Sequence, residues 1–368
     1  MCAKRSKNGG NGKRKIVCLI VLLILVVVAC VGFVVFKFFV SKKDDNRGVE
    51  SVQTSATNEE ISVEEERVVE KVDIVDLNST TRPFAIVVNN TPVAVKVQEG
   101  LNKAYLVYEL PTEGGTSRLL ALFKDVDDST VATIRSARHN FIDYALESNA
   151  IFVCFGWSHY AQDDMKAGSI NYIQGLIDSP FWRNNPERLT SEHTAYTSIA
   201  KLRENAIAKK FNLNSSSAES TVLLKYNSGD VDLSQRDGAQ VANSVVVPYG
   251  VGFKTEFKYD ADSGLYNRFE NGNANVDYST KEQFNTKNII VQKITYNMCD
   301  DNYYWNLHTT GSGNGYFITN GYAVPITWKK SSRADKTRYY FADGSEIEVS
   351  DGRTYVEVQT TAQSLTIN

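Results

Sequence analysis

Three closely spaced arginines, Arg118, Arg135 and Arg138, are the residues of this chain best suited to bind an anion. A guanidinium offers paired N–H donors to a carboxylate or a phosphate, so three of them could clamp one anionic group. Gly114 and Gly115 come shortly before the first arginine, and glycines let a backbone approach a ligand closely. This pattern predicts an anion-binding site.

Four further polar residues could belong to the same site, namely Asn89, Glu109, Glu113 and His193. In one interpretation they bind a ligand together with the arginines. In a second, the arginines pair with Glu109, Glu113 and Asp143 in an ion network that only supports the fold. In a third, Glu109 or Glu113 works with His193 in a wall-active enzyme, because two carboxylates about 5–9 Å apart across a cleft can cleave a sugar polymer.

The remaining chemical signatures are typical of structural residues. His139, His159 and His193 lack any standard metal-ligand spacing. Cys154 lies inside the apolar run Ile151 to Phe155, which is typical of a buried thiol. The sequence has no phosphate-binding loop, dinucleotide fingerprint or nucleophile elbow. We therefore predict no metal and no cofactor, assign no catalytic residue, and expect a binding protein rather than an enzyme.

The charge distribution argues against a nucleic-acid partner. The chain contains 40 basic and 43 acidic residues, and residues 1–40 hold seven of the basic residues and none of the acidic ones. The remainder therefore carries 33 basic against 43 acidic side chains. A domain this acidic has no electrostatic footprint for nucleic acid. Of the five cysteines, only Cys154 and Cys299 lie beyond residue 40. The sequence leaves open whether these two form a disulfide bond.

A long apolar run extends from Ile16 to Val40 and contains one charge, Lys37. At about 1.5 Å per residue, it can cross a hydrocarbon core about 30 Å thick. Basic residues in the short N-terminal tail, residues 1–15, predict that this tail is cytoplasmic and that the bulk of the chain is extracellular. We therefore predict a single-pass signal anchor in the cell membrane.

A lipoprotein signal is the alternative interpretation of the same run. Val28 and Ala29 precede Cys30, which could accept a lipid after processing. Against this, Val31 to Phe36 continue the apolar run where a lipoprotein would normally become polar. Both interpretations attach the protein to the outer face of the membrane.

The rest of the chain divides by composition. Residues 41–79 lack aromatic residues and are rich in polar and acidic ones, which predicts a disordered acidic stalk. Residues 80–212 mix strand-like runs, such as Phe84 to Val88, with helical spacing, and predict an α/β or α+β domain. Residues 213–220 are a polar linker. Residues 221–366 contain short strand-like runs separated by turn signals, which predicts a mostly β domain, either a sandwich or an open barrel.

Two helices and four hairpin turns are predicted within these domains. Asn140 to Ser148 has apolar residues at helical spacing. Ser191 to Lys210 also has an apolar face, with Ser191 or Thr194 as its N-cap. Asn-Gly or Asp-Gly dipeptides between strand-like runs predict tight hairpins, since these residues favour positive φ. They are Asn271-Gly272, Asn320-Gly321, Asp343-Gly344 and Asp351-Gly352.

Several stretches of the sequence are similar to one bacterial family. They begin with Arg82 to Asn90, continue with Glu113 to Arg118 and Ile134 to Arg138, and end with Gly311 to Trp328 and Asp351 to Thr354. As a set, they resemble the YerB-like lipoprotein family, a two-part domain of unknown function. The resemblance implies a membrane-attached extracytoplasmic protein of Gram-positive type, with an α/β part followed by a β part. It implies no activity.

The chain departs from the family pattern near two of the candidate residues. Before Arg118 the family more often has Ile-Thr than the Thr-Ser found here. Its later motif usually reads Pro-His-Asn-Leu-Tyr-Thr, whereas residues 192–197 read Glu-His-Thr-Ala-Tyr-Thr. The histidine is kept and the asparagine is not. If that asparagine contacts a ligand in the family, the ligand of this chain is expected to differ.

The sequence therefore predicts a membrane-anchored extracytoplasmic module of the cell envelope that recognises an anionic ligand through its arginines. Its expected partners are the membrane, through residues 16–40, and a cell-wall polymer or another envelope protein. Two alternatives stay open. One is a cell-wall-active enzyme that uses Glu109 or Glu113 with His193, and the other is a structural scaffold for membrane partners.

Overall fold

The structure is a computed structural model that describes residues 71–299 and 303–368. Three α-helices occur among these residues: α1 (His139–Leu146), α2 (His159–Lys166) and α3 (Ile199–Ala208). The strands of the first half are β1 (Phe84–Asn89), β2 (Leu106–Thr112), β3 (Thr116–Phe123), β4 (Thr130–Ala132), β5 (Ile151–Cys154), β6 (Tyr172–Gln174), β7 (Phe181–Arg183) and β8 (Ala195–Ser198).

The strands of the second half are twice as numerous as those of the first. They are β9 (Lys225–Asn227), β10 (Gln240–Val241), β11 (Ser244–Gly250), β12 (Phe253–Asp260), β13 (Leu265–Glu270), β14 (Asn273–Ala274), β15 (Asn285–Thr286) and β16 (Asn288–Ile294). They continue with β17 (Tyr296–Met298), β18 (Trp305–Leu307), β19 (Gly311–Thr319), β20 (Tyr322–Lys330), β21 (Arg338–Tyr340), β22 (Glu348–Ser350), β23 (Thr354–Thr360) and β24 (Thr366–Ile367).

One large sheet contains strands from both halves of the chain. Its order is β10-β20-β19-β16-β23-β2-β3-β1-β5-β6, and β21 pairs with β20. β23, near the C-terminus, lies between β16 and β2 and runs parallel to both. β3 runs antiparallel between β2 and β1, and β5 runs parallel to β1. A continuous ladder of strands therefore joins the two halves.

The sequence of β23 explains its place in the middle of this sheet. It reads Thr-Tyr-Val-Glu-Val-Gln-Thr, and all seven residues are buried. Strands with parallel neighbours are covered on both faces and favour β-branched and aromatic residues. Its polar side chains are hydrogen-bonded, since Gln359 donates to the Pro248 carbonyl at 2.8 Å and Glu357 accepts from Tyr249 at 2.7 Å.

Successive residues of a strand point to opposite faces, so the large sheet supports two cores. One face carries Ala85 and Val87 of β1 and packs against α1 and α2. The other face carries Ile86 and Val88 and packs against α3 and a second sheet. The strands of that second sheet follow the order β14-β13-β12-β11-β24, and β15 pairs with β13.

Smaller strand groups lie beside the helices. β4, β8 and β7 form a three-stranded sheet, β17 pairs with β18, and β22 pairs with β9. Asn140 of α1 holds β18 in place, because its amide donates to the Trp305 carbonyl at 2.7 Å and accepts from the Leu307 N–H at 3.0 Å. This contact attaches the β17–β18 pair to the first turn of α1.

The predicted fold class is wrong. We expected an α/β or α+β domain followed by a separate β-rich sandwich or open barrel. The described residues are instead mostly strands with three short helices. Strands β16, β19, β20 and β23 extend the sheet of β1, β2 and β3 rather than forming a sheet of their own. Local sequence patterns identify strands, but they do not fix which strands pair.

The single transmembrane helix that belonged to the predicted fold class is not supported either. The expected span, residues 16–40, lies outside the described residues. Within residues 71–299 and 303–368, no helix is long and apolar enough to cross a bilayer. The expected stalk also lies mostly outside the described part, except that Val72 and Val75 near its end are buried in the core.

Several local predictions are confirmed. α1 occupies nearly the whole range expected for the first helix. Asn320 and Gly321 form the two-residue turn between β19 and β20, with φ of 48° and 79°. The second predicted helix begins later than expected, at Ile199, because the preceding four residues pair as β8. Ser198 caps it by accepting a hydrogen bond from the Lys201 N–H at 3.3 Å.

Candidate functional site

The candidate residues converge at the carboxyl end of β1. Asn89 is the last residue of β1 and lies opposite Arg118 of β3. The segment that contains Arg135 enters the gap between β1 and β5. The Arg135 N–H donates to the Val87 carbonyl at 2.9 Å, and the Arg135 carbonyl accepts from the Phe155 N–H at 3.0 Å. Ligands of sheets with parallel strands commonly bind outside the carboxyl ends, where neighbouring strands diverge.

Glu113 joins two of the arginines. It lies in a tight turn between β2 and β3, where Gly114 and Gly115 have φ of 78° and 68°. Arg138 Nε donates to its two carboxylate oxygens at 2.9 and 3.0 Å, and Arg118 Nη2 lies 3.6 Å from Oε1. Burial alone would raise the pKa of Glu113, but the hydrogen bond and charge of Arg138 outweigh it and lower that pKa. Glu113 is therefore an ionised counterion built into the fold.

Arg118 is the most deeply buried arginine of the group, with 7% of its surface exposed. Its Nη1 donates to the backbone carbonyl of Ser136. Burial, and then the nearby charge of Arg138, lower the pKa of Arg118, because a cation held away from water is costly. Arg118 therefore contributes positive potential to the site, and its Nη1 is already bonded to Ser136.

Arg135 is the most accessible of the three arginines. Its Nη1 lies 3.6 Å from a carboxylate oxygen of Glu192 and donates to the Glu192 carbonyl at 3.3 Å. Its Nε is buried and has no hydrogen-bond partner among the described residues. The Glu192 side chain is 53% exposed, so water screens this ion pair and it contributes little to stability.

His193 completes this side of the site. Its Nδ1 is 2.8 Å from the amide nitrogen of Asn89, and its Nε2 lies 3.2 Å from Glu192 Oε1. An Nδ1 that accepts a hydrogen bond places the imidazole proton on Nε2. Burial lowers the pKa of His193, and the charge of Arg135 adds to this while Glu192 opposes it. The ring is therefore neutral at pH 7 and presents an N–H toward Glu192.

Three residues of the site were not among the predicted ones. Glu192 could have been found from the sequence, because it immediately precedes the candidate histidine, His193. Arg183 of β7 places its guanidinium 4.3 Å from the centre of the Phe155 ring, and Tyr304 lies 5.0 Å from the Arg138 guanidinium. Arg183 and Tyr304 come from distant parts of the chain, and no local pattern could have placed them here.

The site holds more positive than negative charge. Arg118, Arg135 and Arg138 pair with two carboxylates that differ in accessibility. The Glu113 side chain is 10% exposed and has two arginine partners, whereas Glu192 is half exposed. An anionic group of a ligand could therefore replace Glu192 beside Arg135 while Glu113 keeps its place. The group of Arg118, Arg135 and Arg138 is called the arginine cluster below.

Glu109, which we had placed in the same site, lies on the other face of the sheet. Glu109 is opposite Leu119 and Leu110 is opposite Arg118, so Glu109 and Arg118 point to opposite faces. Glu109 is fully buried, and its Oε2 lies 2.8 Å from Arg268 of β13. Glu109 and Glu113 thus contact different arginines and do not face each other as an acid and base pair would.

Glu109, Arg268, Glu270 and Glu357 form a second charged group, the buried network, in which each residue is at most 4% exposed. Arg268 Nη2 lies 2.8 Å from Glu109 and 3.3 Å from Glu270. Glu357 of β23 accepts from the Tyr249 hydroxyl of β11 at 2.7 Å. The buried network therefore connects the large sheet to the second sheet. Its single guanidinium contacts Glu109 and Glu270, and its charge also acts on Glu357.

Two carboxyl groups of the buried network, Glu270 and Glu357, resist ionisation. Burial raises the pKa of Glu270 to about 8, against the opposing charge of Arg268. Burial and the charge of Glu109 raise the pKa of Glu357 well above its usual value. Both groups therefore keep their protons at neutral pH, which reduces the charge that the single arginine must balance.

Of the three carboxylates expected to pair with the arginine cluster in a purely structural network, only Glu113 does so. Glu113 does pair with Arg138, but Glu109 contacts Arg268, and Asp143 accepts from Arg333 at 2.5 Å.

Within the described ranges, no group of three His, Cys, Asp or Glu residues could hold a metal ion. The buried thiol of Cys154 has a raised pKa because of its burial. Cys30, the possible lipidation site, lies outside the described residues.

Comparison with known proteins agrees with the resemblance seen in the sequence. The N-terminal domain of the protein of unknown function DUF3048 matches residues 73–212. The C-terminal domain of the same family matches residues 245–356. Together the two ranges cover more than half of the chain.

One curated relative and one solved structure support this assignment. The Bacillus subtilis (strain 168) protein named "Putative lipoprotein YerB" is 29% identical over 283 residues, which cover 75% of this chain and 81% of that protein. The crystal structure of YerB protein from Bacillus subtilis matches with a TM-score of 0.67 at 26% identity, covering 79% of this chain and 95% of that chain. This chain therefore belongs to the YerB-like family of unknown function, with its two DUF3048 domains in order.

Proposed function

We propose that this protein is a binding module on the outer face of the cell membrane, and that the arginine cluster recognises an anionic group of a cell-wall polymer. The geometry at Arg135 is the observation that carries the proposal. Its guanidinium is partly exposed, and its buried Nε has no partner among the described residues. The carboxylate that faces it, Glu192, is half exposed and 3.6 Å away.

Glu192 occupies the position that the anion of a ligand would take. An exposed ion pair of this kind is typically worth no more than about 1 kcal/mol, so a phosphate or carboxylate with better geometry could replace it. The N–H of His193 lies 3.2 Å from the same carboxylate and offers a second donor. Arg138 is held by Glu113 at 2.9 and 3.0 Å, which keeps a further positive charge in place beside the anion.

We further propose that lipid attachment at Cys30 holds the module at the membrane. The residues before Cys30 fit a lipoprotein processing site, and the Bacillus subtilis relative is named as a lipoprotein. Growth of cells with an alkyne-labelled fatty acid tests this directly. The wild-type chain is expected to take up the label and Cys30→Ser to lose it, whereas a Cys18→Ser control should stay labelled. An unlabelled wild-type chain would contradict lipid attachment.

Binding of the full-length chain, kept in solution by detergent micelles, to immobilised teichoic acid tests the function of the arginine cluster. Arg135→Ala is expected to weaken binding at least tenfold, because it removes the accessible guanidinium without disturbing the buried Glu113 contacts. Arg236→Ala is a matched control. Arg236 also faces an exposed carboxylate, with its Nη1 3.3 Å from Asp343.

Four outcomes would decide between this proposal and the alternatives. Equal losses for the two arginine variants, or no binding by the wild-type chain, would contradict recognition by the arginine cluster. Turnover of wall fragments that disappears in Glu113→Gln would favour an enzyme. Crosslinking to an envelope protein without any polymer binding would favour a scaffold.

A further inference from the structure

A cavity of about 320 Å³ lies where β16 and β19 separate, at the carboxyl end of β16. The pairing of these two strands ends at Gln292 and Gly315. Beyond this point β16 stays paired with β23, whereas β19 stays paired with β20. Lys293 and Gly313 line the gap that this divergence leaves. Gaps of this kind, at the carboxyl ends of strands with parallel neighbours, commonly bind ligands.

The inner wall of the cavity is held by the indole of Trp328. Its Nε1 donates to the Lys293 carbonyl at 2.9 Å, across the gap between the strands. Gly313 leaves room for this contact, because a Cβ there would lie 2.6 Å from the indole nitrogen and 2.9 Å from the same carbonyl. The wall therefore has a defined shape, and the space in front of it stays open.

Lys293 brings a positive charge without a counterion to this cavity. Its side chain is partly exposed, and its ammonium donates to the Gln359 amide oxygen and, at 2.8 Å, to the Gln363 carbonyl. An ammonium has three N–H donors, so one remains for a ligand. Burial lowers the pKa of Lys293 to about 8, and no charge of another described residue contributes to this change. Lys293 is therefore mainly protonated at pH 7, and an unpaired, partly buried cation favours an anionic ligand.

Hydroxyl and amide groups line much of the rest of the cavity. They belong to exposed residues, namely Thr295, Thr310, Ser312, Asn314 and Thr361. Such groups both donate and accept hydrogen bonds, so they match the hydroxyl groups of a polyol. The compact charge of a lysine suits a phosphate, whereas a planar carboxylate is matched better by the paired donors of an arginine. No arginine of the described residues lines this cavity.

We propose that this cavity binds a small phosphorylated polyol. The phosphate accepts a hydrogen bond from the ammonium of Lys293, and the hydroxyl groups of the ligand bond to the hydroxyl and amide groups of the walls. The arginine cluster lies beside the ends of β1 and β5 and is built from other residues. This site therefore does not depend on the polymer binding proposed for the arginine cluster.

Calorimetric titration of the full-length chain with glycerol 1-phosphate, in detergent micelles, tests the proposal. Glycerol, which lacks the charge, and inorganic phosphate, which lacks the carbon chain, are each expected to bind at least tenfold more weakly. Lys293→Met should reduce the affinity for glycerol 1-phosphate at least tenfold. Lys329→Met is the matched control, because Lys329 is an exposed lysine of β20 that does not line the cavity, and its affinity should stay within twofold.

A second variant keeps the test decisive if Lys293→Met folds poorly. Ser312 is exposed and lines the cavity, so Ser312→Trp should fill the space and weaken binding at least tenfold without removing any charge. Urea unfolding confirms that each variant is folded under the conditions of the titration.

The proposal fails if the wild-type chain does not bind glycerol 1-phosphate, or if it binds glycerol or inorganic phosphate equally well. It also fails if folded Lys293→Met or Ser312→Trp binds like the wild-type chain, since the ligand would then lie elsewhere, for instance at the arginine cluster. An equal loss in Lys329→Met would contradict a site at Lys293 and indicate attraction by the general charge of this surface.

Discussion

The arginine cluster and the buried network lie on opposite faces of the same strands, and they carry opposite imbalances of charge. In the arginine cluster, three guanidinium groups pair with two carboxylates, one of which is half exposed. In the buried network, one guanidinium meets three carboxyl groups that are almost completely buried. Consecutive residues at the end of β1 serve the two groups: Asn89 contacts His193 at 2.8 Å, and Asn90 donates to Glu109 at 3.1 Å.

The two regions resolve their imbalances by different chemistry. Carboxyl groups can take up protons at accessible pH, and the raised pKa of Glu270 and Glu357 reflects this in the buried network. Arginines do not lose their protons so easily, and the excess positive charge near Arg135 persists. An excess of arginine at a partly exposed site is thus available to a ligand, whereas an excess of buried carboxyl groups is neutralised within the fold.

The largest difference between the two regions is expected when one arginine is removed from each. Arg268→Met leaves Glu109 fully buried without its cation, so the free energy of unfolding should fall by about 3–5 kcal/mol. Arg135→Met removes a screened contact and should cost about 1 kcal/mol or less. Urea unfolding followed by tryptophan fluorescence measures both values. Equal losses would mean that the arginine cluster is as much a part of the core as the buried network.

The pH dependence of stability should have opposite signs in the two regions. The pKa of Glu270 is raised from about 4.5 to about 8, so between these values the folded chain holds a proton that the unfolded chain has released. The free energy of unfolding therefore falls as the pH rises through this interval, by up to about 1.4 kcal/mol per pH unit for one group. The pKa of Glu113 is lowered, so its contribution is lost as the pH falls below about 4.5.

Two isosteric variants separate these contributions. Glu270→Gln should make the decline between pH 5 and pH 8 less steep, while the share due to Glu357 remains, and should leave the acid limb unchanged. Glu113→Gln should flatten the acid limb and leave the decline above pH 5 unchanged. Unfolding curves at half-unit intervals from pH 2 to pH 9 provide the measurement. An unaltered decline in Glu270→Gln would show that other groups set the alkaline slope.

The sequence pattern was sufficient for elements whose signals are local. The apolar spacing of Phe141, Ile142 and Ala145 identified α1, and the dipeptide Asn320-Gly321 identified the β19–β20 turn. Sheet order was beyond this reasoning, because nothing in the residues of β23 states that they pair with both β16 and β2. The fold class was therefore wrong even though many of its strands were found.

In the candidate site, too, the sequence pattern did not fix how strands pair, and this misplaced one residue, Glu109. Arg118, Glu113 and Arg138 were expected together and do meet, because they lie at or next to the ends of neighbouring elements. Glu109 was expected with them but faces the second sheet. Its side is decided by the register of β2 against β3, in which it pairs with Leu119 rather than with Arg118. A shift of one residue would exchange the two faces, and no sequence pattern here fixes that register.

The smallest effect is expected at the aromatic edge of the arginine cluster. The Arg138 guanidinium lies 5.0 Å from the centre of the Tyr304 ring, but its orientation is already set by the two bonds to Glu113. A cation–π contact near the surface is worth about 0.5–1 kcal/mol, so Tyr304→Leu should lower the free energy of unfolding by no more than that. Because Glu113 still holds Arg138, affinity for immobilised teichoic acid should change less than threefold. A tenfold loss of affinity without a loss of stability would instead extend the ligand site from the arginines onto the aromatic ring.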